Sequence, residues 1–514
     1  MASGYYSLGS AEGRWILATT VAIGGLSFLV TTAVGVAVPV IQYYFNASLS
    51  GVQWVLNSYL LALAALLLIG GSLGDYFGRR RILLLGIALF VAGAVFSALA
   101  ASIGFLIVFQ SLQGVGAALM IPQGLAIINS SFKEDVRGRV IGLWAGLSGG
   151  ISALGPWLGG WLVDSFSWQA VFWMTVPVAV VMAYLTFRYI PENKGAEQRR
   201  LNWFIAIPVF LSLFGLAYGL VEGGSGGFDR LSVLASIAGG IFIMLLTIIY
   251  ELRQPEPMIQ FNIFRSRLVA GANLATLLLY FSLYGIFFFL VLNLQQIQGY
   301  SPTTAGLALM PLILLITLLS GPGGALADRV GPRWPMMAGA LIVSVGTAWL
   351  AFDSDSSSYL AGILPGLVLV GLGMSLVIAP LTKSALLVAP RYSGSASGIN
   401  NSVSRLASLM AVAILGAIAL ASFSPRLSDA VAATDLSPPE QQAILEQSDK
   451  LGGIVIPESF SEESREAARD AIRAAFSYSF RRVMLIATGA ALGAAVLCYF
   501  FIAAEPRRLS PGFR

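Results

Sequence analysis

The sequence predicts an all-α integral membrane protein of fourteen crossing helices, and three observations carry that reading. Of 514 residues, 57% are hydrophobic and only 11% charged, against about 25% charged in a soluble domain. The mean hydropathy is +0.81. The apolar residues gather into runs of roughly 18 to 25, the length at which a helix rising 1.5 Å per residue crosses about 30 Å of hydrocarbon.

Taken in order, the runs place helices at 15–39, 54–73, 82–101, 105–128, 140–163 and 170–189, then 203–221 and 231–250. Six more follow at 268–292, 304–326, 335–352, 360–380, 398–421 and 483–503. The polar stretch before the first run has no short apolar core and cleavage site, so that helix is expected to be retained. The break from Phe45 to Ser50 separates it from the second, and Gly223–Gly227 separates the seventh from the eighth. An even count puts both termini on one side. Basic residues crowd the loops of that side, Arg79, Arg80, Arg81, Lys133, Arg137, Arg139, Arg329 and Arg333 among them, against Arg230 opposite. The opposite short loops carry Asp164, Glu222, Asp229, Asp353 and Asp355. The positive-inside rule therefore predicts cytoplasmic termini in a plasma, or inner, membrane.

Composition also removes function classes. The net charge of +5 resides in inter-helix loops and reports topology rather than an affinity for nucleic acid. The chain has no histidine, which excludes His-dependent triads, His metal sites and imidazole relays. Its one cysteine, Cys498, falls in the last apolar run and reads as packing. No cofactor or metal site is expected, and no nucleophile, base and metal constellation suggests an enzyme.

The chain repeats itself. Gly71-Ser-Leu-Gly-Asp75-Tyr-Phe-Gly78-Arg79-Arg80-Arg81 recurs as Gly324-Ala-Leu-Ala-Asp328-Arg-Val-Gly331-Pro-Arg333. Gly114-Val-Gly116 with Pro122 is echoed by Gly371-Leu-Gly373 with Pro380, and Gly138 by Gly394. Two six-helix units follow, 1–200 and 256–514, with 201–255 inserted between them as helices 7 and 8. The segment 422–479 is the one sizeable piece outside the membrane. There Ser437-Pro-Pro-Glu440 and Ser459 with Glu462 each predict the start of a short helix.

Duplicated six-helix halves suit an alternating-access carrier whose bundles rock about a central site. The Gly71 motif, its copy, and Gly155, Pro156, Gly159 and Gly160 in the fifth helix resemble signatures of the major facilitator superfamily. The fourteen-helix count, Ser301-Pro302-Thr-Thr-Ala-Gly306 and Ser397-Gly-Ile-Asn400-Asn401 resemble its fourteen-helix drug:proton antiporters. The resemblance implies outward movement of hydrophobic or amphipathic small molecules, coupled to protons. It implies that Asp75 latches onto the start of the thirteenth helix near Gly394, and Asp328 onto the start of the fifth near Gly138, closing a cytoplasmic gate. Simple loop stability is the competing reading of the same residues.

The family's first helix carries an Asp and an Asn where this chain has Val30 and Gly35, and its fourth-helix Arg position is Gln110. The common coupling carboxylate is therefore missing. Arg405, about 10 Å into the thirteenth helix on these boundaries, matches a family arginine and either receives an anionic head group or bonds backbone carbonyls and Asn400 or Asn401 in a structural network. Lys383 is read as reaching out to the cytoplasmic surface. Amides and aromatics that would line a chamber are Trp54, Asn57, Tyr59, Gln110, Gln113 and Gln123 from the first half, and Tyr280, Tyr284, Asn293 and Asn401 from the second. An uncoupled transporter of anionic or lipid-like molecules is the alternative, and a transporter-shaped sensor or scaffold the alternative of another class. The expected partners are an amphipathic small molecule, membrane lipids and protons, with the chain acting as a monomer.

Overall fold

The computed structural model describes residues 6–193, 203–254, 261–353, 358–387 and 393–502. Those residues trace fourteen helical crossings. The first six are α1 (Ala11–Phe45), α2 (Leu49–Phe77), α3 (Arg79–Ala98), α4 (Ile103–Ser131), α5 (Glu134–Ala153, resuming as Gly155–Ser165) and α6 (Ala170–Tyr189). The inserted pair is α7 (Trp203–Gly226) and α8 (Leu231–Leu252). The last six are α9 (Arg267–Ile297), α10 (Pro302–Val330), α11 (Arg333–Asp353), α12 (Tyr359–Ala385), α13 (Ser393–Ala432) and α14 (Glu462–Phe501). Thirteen of them are long and apolar enough to span a bilayer by themselves. The exception is α5, which Pro156 divides at Leu154 into pieces of 20 and 11 residues; proline removes an intrahelical donor and is tolerated in the first turn that follows the break.

Local chemistry sets the turns. Asn46, at φ 49°, closes α1 with a left-handed residue, and Ser48 opens α2 by accepting from the Gly51 amide. The motif glycines Gly78 and Gly331 hold φ of 111° and 85°, a region that L side chains rarely adopt. Each turns the chain directly from one crossing into the next.

The duplication is visible in the packing. In the first half α4 packs on α2 and α3, and α1 on α5 and α6; in the second α12 packs on α10 and α11, and α9 on α13 and α14. Closest approaches repeat as well. A Cβ on Gly70 would lie 2.1 Å from the Ala118 carbonyl oxygen, and one on Gly323 2.3 Å from that of Ser375. Likewise Gly86 abuts the Gly116 carbonyl and Gly339 that of Gly373, at 3.0 and 2.5 Å. Small residues here let backbones touch, the usual source of helix affinity in lipid. The inserted pair packs on itself, and α7 lies against both α2 and α13.

Several boundaries differ from expectation, mostly because the helices are longer; α3 is instead shifted, running Arg79–Ala98 rather than 82–101. α13 and α14 run on to Ala432 and back from Glu462, so the connection is 433–461 rather than 422–479. Its first expected helix is present as Pro438–Leu445, with Glu440 accepting from the Ser437 amide at 2.8 Å. The second is the opening of α14 itself, capped by Ser461 rather than Ser459. Glu462, Ala467 and Ala468 are good helix formers, and nothing about the membrane surface obliges such a helix to stop. Glu222, assigned above to a loop, lies inside α7. The end of the molecule bearing 433–461 is called the loop face below, the opposite end the termini face.

Candidate functional site

The two halves meet on the loop face. Gln53 of α2 donates to the Val412 carbonyl of α13 at 2.6 Å, and Gln295 of α9 to the Val36 carbonyl of α1 at 2.9 Å. Gln296 donates to Gln42 at 2.9 Å, and Gln42 in turn to the Lys450 carbonyl at 3.0 Å. Lys450 reaches Asn46 at 2.6 Å, so the connection straps across the junction. Beside it Leu451 takes φ 53° and is 1% exposed, wedged beneath the strap. The fifth-helix motif closes the same face. A Cβ on Gly160 would lie 2.2 Å from the Pro302 carbonyl oxygen, and one on Gly306 2.1 Å from that of Pro156. Gly155 and Gly159 are also tight, with Cβ positions 1.9 and 2.7 Å from Thr32 and Ala33 of α1. The Thr303 amide donates to Asp164 at 2.8 Å. The two sequence motifs, Gly155–Gly160 and Ser301–Gly306, thus pack on one another across the seam.

On the termini face, among the described residues, the motif loops bond within their own halves. Arg79 clasps Asp75 through Nε and Nη2 at 3.1 and 2.9 Å, and its Nη1 donates to the Ala126 carbonyl of α4 at 2.9 Å. The Arg80 amide donates to Glu192 at 3.2 Å, which also sits against Gly78. In the second copy proline stands at 332 where the first has Arg79. The charge is supplied instead by Lys383 of α12, which reaches the surface as expected and there pairs with Asp328. Arg333 donates to the Ile502 carbonyl at 2.7 Å. Gly71 and Gly324 occupy matching places against α4 and α12, near Pro122 and Ala379. A Cβ on Gly138, Gly142, Gly146 or Gly321 would meet nothing within 4 Å. These positions of α5 and α10 are therefore open.

Arg405 lies between these regions. Because α13 begins at Ser393, Arg405 is about 18 Å along it at 1.5 Å per residue, near the middle of a crossing rather than about 10 Å in. It is 6% exposed, whereas Asn401, one turn nearer the termini face, is exposed. Its guanidinium lies 4.4 Å from the centre of the Phe28 ring of α1, reaching across the seam. Among the described residues it has no hydrogen bond or ion pair. The network expected of it goes elsewhere: Asn400 donates to Asn273 and Thr276 of α9, and Asn401 to the Ser397 carbonyl. Tyr59, donating to the Ser27 carbonyl at 2.9 Å, and Tyr280, stacked on Tyr284 with centroids 6.4 Å apart, lie within its electrostatic reach.

The remaining candidates divide. Asn57, Gln110 and Gln113 are at most 1% exposed, and no described residue satisfies the Asn57 amide, the Gln113 amide or Gln110 Nε2. Gln123 is spent on helix packing, donating to the Gly70 carbonyl at 2.6 Å. Asn293 sits at the loop-face end of α9, accepting from Gln298 at 2.8 Å. Trp54 faces α7 rather than the seam. Sequence reading missed Gln42, Gln53, Gln295, Gln296 and Lys450, whose pairings join residues hundreds of positions apart. The polar run Asn293–Gln298 at the end of an apolar helix was the one available sign.

Comparison with known proteins agrees with this architecture. The family described as Major Facilitator Superfamily matches residues 20–412. Multidrug resistance protein Stp of Mycobacterium tuberculosis is 31% identical over 407 residues, 78% of this chain and 74% of the relative. The Tetracenomycin C resistance and export protein of Streptomyces glaucescens is 29% identical, covering 97% and 93%. Methyl viologen resistance protein SmvA of Salmonella typhimurium is 28% identical, covering 93% and 96%. Among solved structures, a bacterial homologue of the human lysosomal transporter Spinster superposes with a TM-score of 0.66 at 17% identity, covering 98% of this chain and all of that one. The chain belongs to the Major Facilitator Superfamily, among fourteen-helix relatives of the drug-efflux type: it is a multi-pass membrane transporter and not an enzyme.

Proposed function

We propose that the chain exports amphipathic small molecules from the cytoplasm by alternating access, and that Arg405 receives the polar or anionic end of the cargo. A buried guanidinium is costly in a bilayer unless it is paired, and such residues ordinarily mark a transport path. The single observation that carries the reading is Arg405 itself: buried, without hydrogen bond or ion pair among the described residues, and placed where the halves part. Phe28, Tyr59, Tyr280 and Tyr284 supply flat apolar surface for the remainder of a cargo.

In this proposal the termini are cytoplasmic, the chain works as a monomer in the plasma (inner) membrane, and the conformation described is open to the cytoplasm and sealed outside. The names of its relatives, which speak of resistance and export, support the outward direction. Protons drive export as in the drug:proton antiporters, although α1 offers Val30 and Gly35 rather than a carboxylate. The gate motifs Asp75–Arg79 and Asp328–Lys383 hold each half rigid while the inner side is open and exchange partners when it closes.

The test is uptake into inside-out proteoliposomes of an anionic and a neutral amphipathic dye, with and without a pH gradient. Arg405→Ala lowers anionic-dye transport at least tenfold and neutral-dye transport less. Equal transport of both dyes by a well-folded variant removes Arg405 from the cargo path. Transport unaffected by a protonophore removes the coupling and leaves the uncoupled reading.

A further inference from the structure

α14 is 40 residues long, about twice what a crossing needs, and arginines mark where it leaves the bilayer. From Phe501 back to Arg482 is about 29 Å at 1.5 Å per residue, one hydrocarbon thickness. Arg333 to Phe352 on the neighbouring α11 is the same span, and Arg481 lies over the Phe352 ring at 5.4 Å while donating to the Ala351 carbonyl at 3.3 Å. Both rulers put Arg481 and Arg482 at the head-group level of the loop face. Arg482 reaches back one turn to Tyr478, donating to its hydroxyl with the guanidinium 4.8 Å from the ring centre. Arg426 of α13 meets the same ring at 5.7 Å. The Ser479 hydroxyl donates to the Ala419 carbonyl at 2.9 Å, which sets Arg426 two turns farther from the bilayer. Side chains lean toward the N-terminus of their helix, so Arg426 points down toward the lipid and Arg482 up, and the two converge on Tyr478.

These charges are out of place and uncompensated. The positive-inside rule depletes arginine from the loop face, whose short loops carry Arg230 alone. Farther along α14, Arg465 and Arg469 find Glu462. Among the described residues no carboxylate lies within ion-pair distance of Arg426, Arg481 or Arg482, and all three are exposed. Two guanidinium groups converging without a counter-charge attract an anion that can take several N–H donors at once, which is the chemistry of a phosphate. The surface below them is made for lipid. Leu485, Gly489, Leu492 and Val496 continue the face of Tyr478 and Arg482 at steps of three and four. Leu485, Leu492 and Val496 are exposed, and a Cβ on Gly489 would meet nothing within 4 Å, leaving a shallow dip between them. We propose that Arg426, Tyr478 and Arg482 bind the phosphate head group of an anionic phospholipid in the loop-face leaflet, its acyl chains lying along Leu485, Gly489 and Leu492. The proposal goes beyond the export reading and does not depend on it.

The probe is a bimane fluorophore on Leu485→Cys in a Cys498→Ser background, with the full-length chain in phosphatidylcholine nanodiscs. These are doped with nitroxide-labelled phosphatidylglycerol or, at equal mole fraction, nitroxide-labelled phosphatidylcholine. A nitroxide quenches only at close range, so the ratio of quenching by the two lipids reads the preference at this spot. The ratio is expected to favour phosphatidylglycerol at least threefold, while the same fluorophore on Leu246→Cys, on the exposed face of α8, gives a ratio near one. Arg426→Gln with Arg482→Gln brings the ratio at Leu485 close to one, and Arg426→Lys with Arg482→Lys keeps it above twofold. Arg426→Gln alone roughly halves it and serves where the double variant fails to give a monodisperse protein. A ratio near one in the unsubstituted site, a ratio unmoved by the Gln variants, or an equal preference at Leu246 overturns the proposal. So does a preference abolished by excess inorganic phosphate at constant ionic strength, which would assign the arginines to a soluble anion. None of these results bears on anionic-dye transport through Arg405, so the two readings fail separately.

Discussion

The two faces of the seam are built from different materials. On the loop face the halves touch backbone to backbone through Gly160 and Gly306, and their amides cross-bond through Gln42, Gln53, Gln295 and Gln296. On the termini face the polar groups bond within their own halves, as Asp75 with Arg79 and Asp328 with Lys383. Neutral hydrogen bonds and glycine contacts depend on close shape; each bond contributes only about 0.5–1.5 kcal/mol. Charge pairs act over longer distances and re-partner without exact fit. A junction of the first kind closes tightly and opens as one step. The second kind suits loops that must be stable both together and apart.

The largest expected effect comes from breaking the close side sterically. Gly160→Leu or Gly306→Leu places a side chain where a bare Cβ already falls about 2.2 or 2.1 Å from a carbonyl oxygen. Transport in proteoliposomes falls below about 1% of normal while yield after purification changes little, because the clash is between halves rather than within one. Near-normal transport would mean that the loop-face contact need not form.

Asp75→Ala comes next. It removes the carboxylate that holds Arg79, and turnover is expected to drop about tenfold with a melting-temperature change of only a few degrees. Arg79→Lys, which keeps the charge but not the two-pronged grip, should recover part of the activity. Asp328→Ala should be milder, since Lys383 and Asp328 are both more than half exposed and such surface pairs contribute about 0–1 kcal/mol. Equal effects of the two aspartates would argue that exposure does not distinguish the copies.

Smaller effects belong to the strap. Gln42→Ala with Lys450→Ala removes the Gln42–Lys450, Gln296–Gln42 and Lys450–Asn46 bonds, costing about 1.5–4.5 kcal/mol of the sealed state, and should raise labelling of Cys residues placed beneath it several-fold. The smallest effect is one of pH. The Ser437 hydroxyl and amide bonds hold the Glu440 carboxyl below its ordinary value. A lowered folded-state value means that its contribution is present above the ordinary carboxylate range and lost as pH falls through the lowered value. Amide exchange in Pro438–Leu445 should therefore quicken only in acid, and Glu440→Gln should remove the dependence.

Much of this fold was legible because lipid imposes length and hydropathy on every crossing. The motif copies at Asp75 and Asp328 announced the duplication, and the packing of Gly70 and Gly323 repeats it. Arg405 stood out as an intramembrane charge, yet its depth was misjudged because the polar first turns of α13, Ser393 to Ser397, resemble a loop. Glu222 was misplaced for a similar reason: Gly223–Gly227 reads as a turn in water, while helices in membranes carry glycine freely. Trp54 was expected to line the central chamber but stands against α7, since hydropathy has no angular information in a helix that is apolar all round. The cross-bonded amides of the seam were not legible, although its glycine motifs were. Gln42 and Lys450 meet only because the fold brings them together, and no local pattern records that meeting.

The central claim is that the two faces open in alternation. Distances between spin labels report it directly, in a Cys498→Ser background, for one pair at Gly138 and Leu326 on the termini face and another at Asn46 and Lys450 on the loop face. As a saturating cargo or a pH gradient is applied, the account predicts that the first distance shortens by several ångström while the second lengthens. Two distances that stay fixed during transport, or that lengthen together, would contradict it.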